Sequence, residues 1–176
     1  MKNRVLVTCV MALMLLSSCS NLMFFTKETR DNLNKNHQEI DKVQFYNSDK
    51  IVLKRNLTKD ETLVAKGVIV FENGQYFEEI IIPKNTKGVV AKKGADYLRI
   101  AFEEGDKRDL RFDMNGDEQY QISADIWKQN FGSVKYDTTV YFIVPSSSHT
   151  MLMVNKEYIS NYERKRRVLK GRNVAR

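Results

Sequence analysis

Apolar and polar residues alternate through much of the second half of the chain, and the strongest local signal precedes them, at residues 68–82. Two β-rich runs there flank Asn73-Gly74. This dipeptide is typical of a type I′ turn, in which both central residues need positive φ. The segment therefore predicts a hairpin in which Glu72 pairs with Gln75, and Pro83 ends the second strand because proline cannot donate to a ladder. We expect one face of this hairpin to be the core side: Val68, Val70, Phe77 and Ile81.

Shorter segments before and after the hairpin repeat the period of two that half-buried strands show. Their apolar positions are Ile51 and Leu53; Leu98, Ile100 and Phe102; Leu110 and Phe112; Tyr120 and Ile122; Val140, Phe142 and Val144; and Leu152 and Val154. The pattern predicts an all-β body over residues 43–159, a single antiparallel β-sandwich or barrel of roughly eight to ten short strands. One helical insertion is expected, at residues 124–131 around Trp127.

The start of the chain has the layout of a secretory signal peptide. Lys2 and Arg4 precede the uncharged run Val5–Leu16, and the small residues Ser17 and Ser18 follow. Positive charge, a short apolar region and a small-residue cleavage zone define such signals. The run is shorter than the roughly 20 residues needed to span a bilayer. We expect residues 1–18 to be removed on export.

The segment Leu16-Ser17-Ser18-Cys19 resembles the lipobox of bacterial lipoproteins, which places a large aliphatic residue and two small residues before the lipidated cysteine. The resemblance covers about the first 20 residues and implies cleavage before Cys19, with lipid attached to its thiol and to the new amino terminus. An ordinary signal peptide with a chance cysteine at its cleavage site is the alternative. Ser20 stands where an aspartate tends to retain lipoproteins in the inner membrane, so the resemblance implies the outer membrane, on either its periplasmic or its surface face.

Residues 19–42 are expected to form a lipid-anchored tether. Leu22–Phe25 is apolar, and two roles are open for it: contact with the membrane interface, or packing against the body. The remainder is polar, with a weak helical pattern through Leu33, Ile40 and Val43. Cys9 lies in the signal peptide, so the mature chain would have no second thiol for a disulfide.

Positive charge is concentrated at the carboxyl end. Residues 163–176 carry seven basic residues and one acidic residue, whereas residues 19–162 carry 20 basic and 21 acidic residues. Ser160 and Glu163 fit a capping box, which predicts a basic helix or tail over residues 160–176. Export argues against nucleic acid, so anionic lipids, acidic glycans or acidic proteins are the expected partners; a solvated tail that binds nothing is the alternative. The candidate contact residues are Arg164, Lys165, Arg166, Arg167, Lys170 and Arg172.

Candidate catalytic and metal-binding motifs are weak. Ser146–His149 places serines beside a histidine, but neighbouring residues rarely form a nucleophile and an oriented base. Asp113–Asp117 begins like a calcium loop and then lacks the glycine and glutamate of that motif, so a turn is expected. Glu78 and Glu79 are adjacent on a strand and should point to opposite faces, as should Glu103 and Glu104. We expect no catalytic residues, no cofactor and no metal.

These features favour a non-catalytic envelope lipoprotein, acting as an adaptor or structural subunit of an outer-membrane or periplasmic assembly such as a secretion machine. The alternative is a lipid- or glycan-binding module whose exposed aromatics would be Tyr97, Tyr136 and Tyr141. A second packed face filled by these tyrosines is the other interpretation of the same residues. A hydrolase, or an inhibitor of one, is the third hypothesis, and the residues give the enzyme version no support.

Overall fold

The structure, a computed structural model, describes residues 21–164 of the chain, with side chains to residue 160. Thirteen antiparallel strands in two sheets, with only two short α-helices, form the described fold, which confirms the all-β sandwich. The strand number exceeds the predicted eight to ten because several short strands, among them those at residues 22–24, 45–47 and 126–128, carry no alternation that the sequence could show.

One sheet has six strands in the order β10-β11-β12-β3-β5-β4. Its strands are β3 (Ile51–Leu57), β4 (Val68–Glu72), β5 (Gln75–Ile82), β10 (Ile126–Lys128), β11 (Phe131–Tyr136) and β12 (Thr139–Ile143). The β4–β5 hairpin has the predicted register, Glu72 opposite Gln75, with positive φ at Asn73 and Gly74. β5 ends before Pro83, as expected.

The other sheet has seven strands in the order β1-β13-β2-β6-β7-β8-β9. Its strands are β1 (Leu22–Phe24), β2 (Phe45–Asn47), β6 (Lys87–Lys93), β7 (Tyr97–Ala101), β8 (Asp109–Met114), β9 (Tyr120–Ile122) and β13 (Leu152–Asn155). Isolated bridges join Gln121 to Met151 and Gln119 to Thr26. The sheet therefore curls back towards its own first strands, and the core lies within this curl and between the two sheets.

The predicted core face of the β4–β5 hairpin is wrong. Val68 and Ile81 are exposed, whereas Ile80 and Ile82, on the opposite face, pack in the core. Both faces of this hairpin are apolar, so alternation alone does not choose between them. Where only one face is apolar the predicted stripe is confirmed: Leu98 and Ile100 are fully buried.

The predicted stripe of β12 is wrong. Val140 and Phe142 are exposed, whereas Tyr141 and Ile143 are buried. Both faces of this strand are apolar, so alternation alone does not choose between them.

The segment expected to be a tether is part of the domain throughout its described length. β1 pairs with β13, helix α1 (Lys27–Lys35) begins at the cap residue Thr26, and a 3-10 turn covers Ile40–Lys42. The weak helical pattern is confirmed only in part. Leu33 lies in α1, whereas Ile40 lies in the 3-10 turn, and both are buried in the core.

Two further boundaries differ from expectation. Residues 124–131 form β10 and a tight turn in place of a helix, because Gln129 and Asn130 both take positive φ and return the chain antiparallel. The carboxyl-terminal helix α2 (Lys156–Arg164) begins four residues before the predicted segment 160–176. Asn155 caps it, since its side-chain oxygen accepts a hydrogen bond from the Glu157 amide at 2.8 Å.

Candidate functional site

Glu78 is a buried carboxylate at the centre of a polar cluster. β5 directs it to the inner face, and its side chain is only 1% exposed. One carboxylate oxygen accepts hydrogen bonds from Arg55 Nε at 2.6 Å and from the Tyr141 hydroxyl at 3.0 Å. The other accepts from the backbone amides of Lys66 at 2.7 Å and Gly67 at 2.6 Å. Burial by itself raises the pKa of Glu78, but these four hydrogen bonds outweigh it and leave the pKa below its usual range.

The local sequence allows this arrangement because Gly67 has no side chain. A Cβ atom at this position would lie 2.8 Å from the Glu78 Cγ and 2.6 Å from the Glu79 carbonyl oxygen, a distance that real Cβ atoms do not show. Arg55 lies directly opposite Glu78 in the β3–β5 register. Arg55 also contacts Glu61 at 3.3 Å, so its guanidinium has two acidic partners.

A second group of charged residues continues this cluster into an open cleft of about 580 Å³. The Tyr136 hydroxyl donates to Glu103 at 2.8 Å, and Arg108 contacts Asp137 at 3.2 Å. Lys66 lies 3.7 Å from the same Asp137 carboxylate. Burial, followed by the hydrogen bond to Glu103, raises the pKa of Tyr136.

The pKa shifts in this cleft point away from proton transfer near neutral pH. Burial and then the hydrogen bond to Glu78 raise the pKa of Tyr141, while the pKa of Glu78 is lowered. A general acid or base works best with a pKa near the working pH. The cluster is therefore better suited to holding β3, β5 and β12 together than to acid–base chemistry.

The tyrosines suggested as exposed aromatics do not form a binding platform. Tyr136 and Tyr141 are buried and meet edge to face, with ring centroids 6.4 Å apart. Tyr97 is half-buried and lies under the Arg111 guanidinium, which is 4.3 Å from the ring centroid. The prediction of three exposed aromatics is wrong for Tyr136 and Tyr141, because their alternation places them on the inner face.

The outer face of the six-stranded sheet is the main apolar surface seen here. Six of its large apolar side chains are 43–59% exposed. We call this set the outer apolar face, and it comprises Val68, Ile81, Ile126, Phe131, Val140 and Phe142. The pairings connect one row across all six strands, through Ile126, Ser133, Phe142, Lys54, Glu79 and Val68. At about 4.8 Å between neighbouring strands, this row is about 24 Å long.

Lys54 lies near the middle of this face and is held in place. Its Nζ contacts Glu72 at 2.6 Å and Glu79 at 3.3 Å, and it lies 4.3 Å from the centroid of the Phe77 ring. The hydrogen bond to Glu72 is the main cause that raises the pKa of Lys54, against a smaller opposing effect of burial. Sequence reasoning missed this surface because it assigned the exposed side of the hairpin to the core.

The weak motifs have structural roles within the described residues. The Ser147 hydroxyl accepts from the Val52 amide at 3.0 Å and donates to the Lys50 carbonyl at 3.1 Å, while His149 is exposed. Asn115 forms the predicted turn, because its side-chain oxygen accepts from the Asp117 and Gln119 amides at 3.0 and 2.9 Å. Among residues 21–160, no group of His, Cys, Asp and Glu side chains is arranged to hold a metal ion.

The residues assigned to anchoring and to anionic contacts lie mostly beyond this region. Arg164 is the last residue of α2, and only its backbone is described. Five of the candidate basic residues and the lipidation site lie outside the described residues: Lys165, Arg166, Arg167, Lys170, Arg172 and Cys19. No helix in the described part of the chain is long and apolar enough to cross a membrane.

Comparison with known proteins places the chain in no family: no family model, no curated protein and no solved structure matches it.

Proposed function

We propose that this protein is a lipid-anchored envelope protein of the outer membrane, whose β domain is a non-catalytic adaptor or structural subunit of a larger assembly. The observation that carries the proposal is the outer apolar face. Water-soluble monomers rarely expose extended apolar patches, and large ones are typical of protein interfaces. Lys54, held by Glu72 and Glu79 on the same face, adds the polar contacts that give such interfaces specificity.

The expected partner has an apolar surface of its own. The outer apolar face combines aromatic and branched side chains on a rigid sheet, so little conformational entropy would be lost when a partner binds. Phe142 lies in the row that crosses all six strands and pairs with Lys54 in the β12–β3 register. We assign it the largest share of the binding free energy, because such anchors dominate interfaces.

A lipid- or glycan-binding module is the second candidate, and the cleft beside Glu78 is the observation that favours it. Its volume fits a small ligand. Its charged groups already pair with one another, however, and the rings of Tyr136 and Tyr141 are packed. An acyl chain would meet ion pairs, and a sugar would find no exposed aromatic face there, so protein docking is the better-supported function.

We predict that Cys19→Ala abolishes acyl labelling and moves the protein from the membrane fraction to the soluble fraction, since no second lipid anchor is proposed. Metabolic labelling with a fatty acid, followed by envelope fractionation, checks this. Residual membrane binding that disappears as salt is raised would be assigned to the basic tail, because exposed charges are screened. Retention of the acyl label by the variant would contradict the proposed lipidation.

We predict that Phe142→Ser weakens partner binding by about 30-fold or more, measured as partner retention when the protein is affinity-purified from gently solubilised envelopes, as loss of an apolar anchor costs about 2 kcal/mol or more. Leu63→Ser is the matched control, because Leu63 is 87% exposed and is not part of the outer apolar face. Both variants are first checked for an unchanged thermal melt. Equal partner recovery with Phe142→Ser and the wild type would overturn docking on this face, and a partner-free protein carrying lipid or glycan would favour the second candidate.

A further inference from the structure

The first described residues are fixed to the body of the protein from Asn21 onward. The Asn21 carbonyl accepts a hydrogen bond from the Lys156 amide at 2.8 Å. Leu22 lies opposite Asn155, and Phe24 lies opposite Met153, in the antiparallel β1–β13 pairing. Because these are backbone interactions on successive residues, the start of β1 has no freedom to act as a flexible spacer.

The side chains of β1 divide into an inner and an outer set. Met23 packs against the core, and Phe25, which directly follows β1, is fully buried. Leu22 and Phe24 point to the other face, and Phe24 is 45% exposed. An aromatic ring is therefore held half-exposed beside the point where the chain leaves the described domain.

The connection between the proposed lipidation site and this fixed point is very short. Only Ser20 separates Cys19 from Asn21. Two residue steps span at most about 7 Å even when fully extended. A lipid on Cys19 would bring Asn21 and its neighbours to the headgroup region.

We infer that the domain is held directly against the phospholipid bilayer, with the outer side of β1 and the start of α2 as its membrane contact; this inference rests on the proposed lipidation of Cys19. Leu22 and Phe24 supply the apolar part of the contact, and apolar and aromatic side chains suit the interface. Lys156, exposed at the start of α2, supplies a cation for lipid phosphates.

This placement also limits the partner of the adaptor. A domain of about 140 residues has a radius of gyration of about 15 Å. With an attachment within about 7 Å of the lipid, every surface of a domain of this size lies within about 45 Å of the bilayer. The partner for the outer apolar face must therefore reach to within that distance of the same membrane.

The test uses the full lipidated protein carrying Glu157→Cys, labelled with a fluorophore and reconstituted in phosphatidylglycerol–phosphatidylethanolamine vesicles with a headgroup quencher. Glu157 is exposed and follows Lys156, and the lipid blocks the Cys19 thiol. The matched control has the same label and a twelve-residue Gly-Ser insertion between Ser20 and Asn21, which adds a mean reach of about 19 Å. We expect quenching about threefold stronger without the insertion, because the insertion lets the domain leave the headgroup region.

Weak quenching without the insertion would overturn the inference, because the domain would then stand away from the bilayer. Equal, strong quenching in both proteins would also overturn it, because the short connection would not be what holds the domain there. Failure of lipidation is detected separately, since a protein without lipid carries no acyl label and does not float with the vesicles. Failure of the inference can therefore be distinguished from failure of the proposed anchoring.

Discussion

Glu78→Gln is expected to lower the free energy of unfolding by about 3 kcal/mol or more, because it leaves Arg55 without its buried partner. The glutamine oxygen can still accept from the Gly67 and Lys66 amides, but its NH2 group then meets the Arg55 and Tyr141 donors. Both the balancing charge and the acceptor for these two groups are therefore lost. The Arg55–Glu78 contact is 2.6 Å long, and the Glu78 side chain is almost completely buried. Urea denaturation followed by circular dichroism measures the change.

Glu79→Gln provides a matched control on the next residue of the same strand. Glu79 points to the outer face and contacts Lys54 at 3.3 Å, and Lys54 keeps its shorter contact with Glu72 at 2.6 Å. A partly exposed pair of this kind contributes at most about 1 kcal/mol. Equal losses of unfolding free energy for the two variants would show that burial does not determine how much Glu78 contributes to stability.

The pH dependence of the Glu78→Gln effect has a definite sign. The folded pKa of Glu78 lies below its ordinary value of 4.5, so the unfolded chain takes up a proton first as the pH falls. The stability that the carboxylate contributes is present above about pH 4.5 and is lost as the pH falls through the folded pKa. The difference between wild type and variant should therefore shrink below about pH 4. A difference that stayed constant down to pH 3 would contradict a lowered pKa.

The hairpin over residues 68–82 shows which parts of the fold the sequence could predict. Asn73-Gly74 determines the turn by backbone sterics alone, so the register followed from two residues. These two residues do not determine which face is buried, because Val68 and Ile81 are as apolar as Ile80 and Ile82. Which face of the hairpin is buried depends on Glu78 having a positively charged partner, because an unpaired carboxylate is costly to bury. The sequence alone does not identify that partner.

The polar cluster itself could not be read from the sequence. Arg55, Glu78 and Tyr141 come from three strands and are separated by 23 and 63 positions. Only the β3–β5 and β12–β3 pairings bring them together. The sequence predicts that Glu78 and its neighbour Glu79 point to opposite faces of the strand, and the structure confirms this. Nothing in the sequence indicates that Arg55 lies opposite Glu78.

The segment before α1 is more ordered than the sequence predicts. Leu22–Phe25 was recognised as apolar, yet its position beside a polar stretch led to a tether assignment for residues 19–42. In the structure, Phe25 lies between Phe45 and Tyr120, with ring centroids at 5.0 and 5.2 Å. Because Phe25 is buried and β1 is paired, the segment that we expected to be a spacer is part of the folded domain.

Phe25→Ala is therefore expected to destabilise the domain by about 3–5 kcal/mol, the usual loss for a large aromatic residue in a packed core. Phe25 has 0% exposure, and its backbone amide donates to the Leu152 carbonyl at 2.9 Å. Domains of this size are stable by only about 5–15 kcal/mol, so such a loss is a large part of the total. Thermal and urea melts followed by circular dichroism measure it.

Phe24→Ala is the matched control, since it removes the same ring one position earlier, from the outer side of β1. Phe24 is 45% exposed and stands beside Met153 in the strand pairing, so we expect a loss below about 1 kcal/mol. If the segment were a tether, both substitutions would leave the melts unchanged. If the segment is an integral strand, only Phe25→Ala lowers the melting temperature and the urea midpoint strongly. Phe24→Ala stays folded, so it can also be used in vesicles to measure what the exposed ring adds to membrane contact.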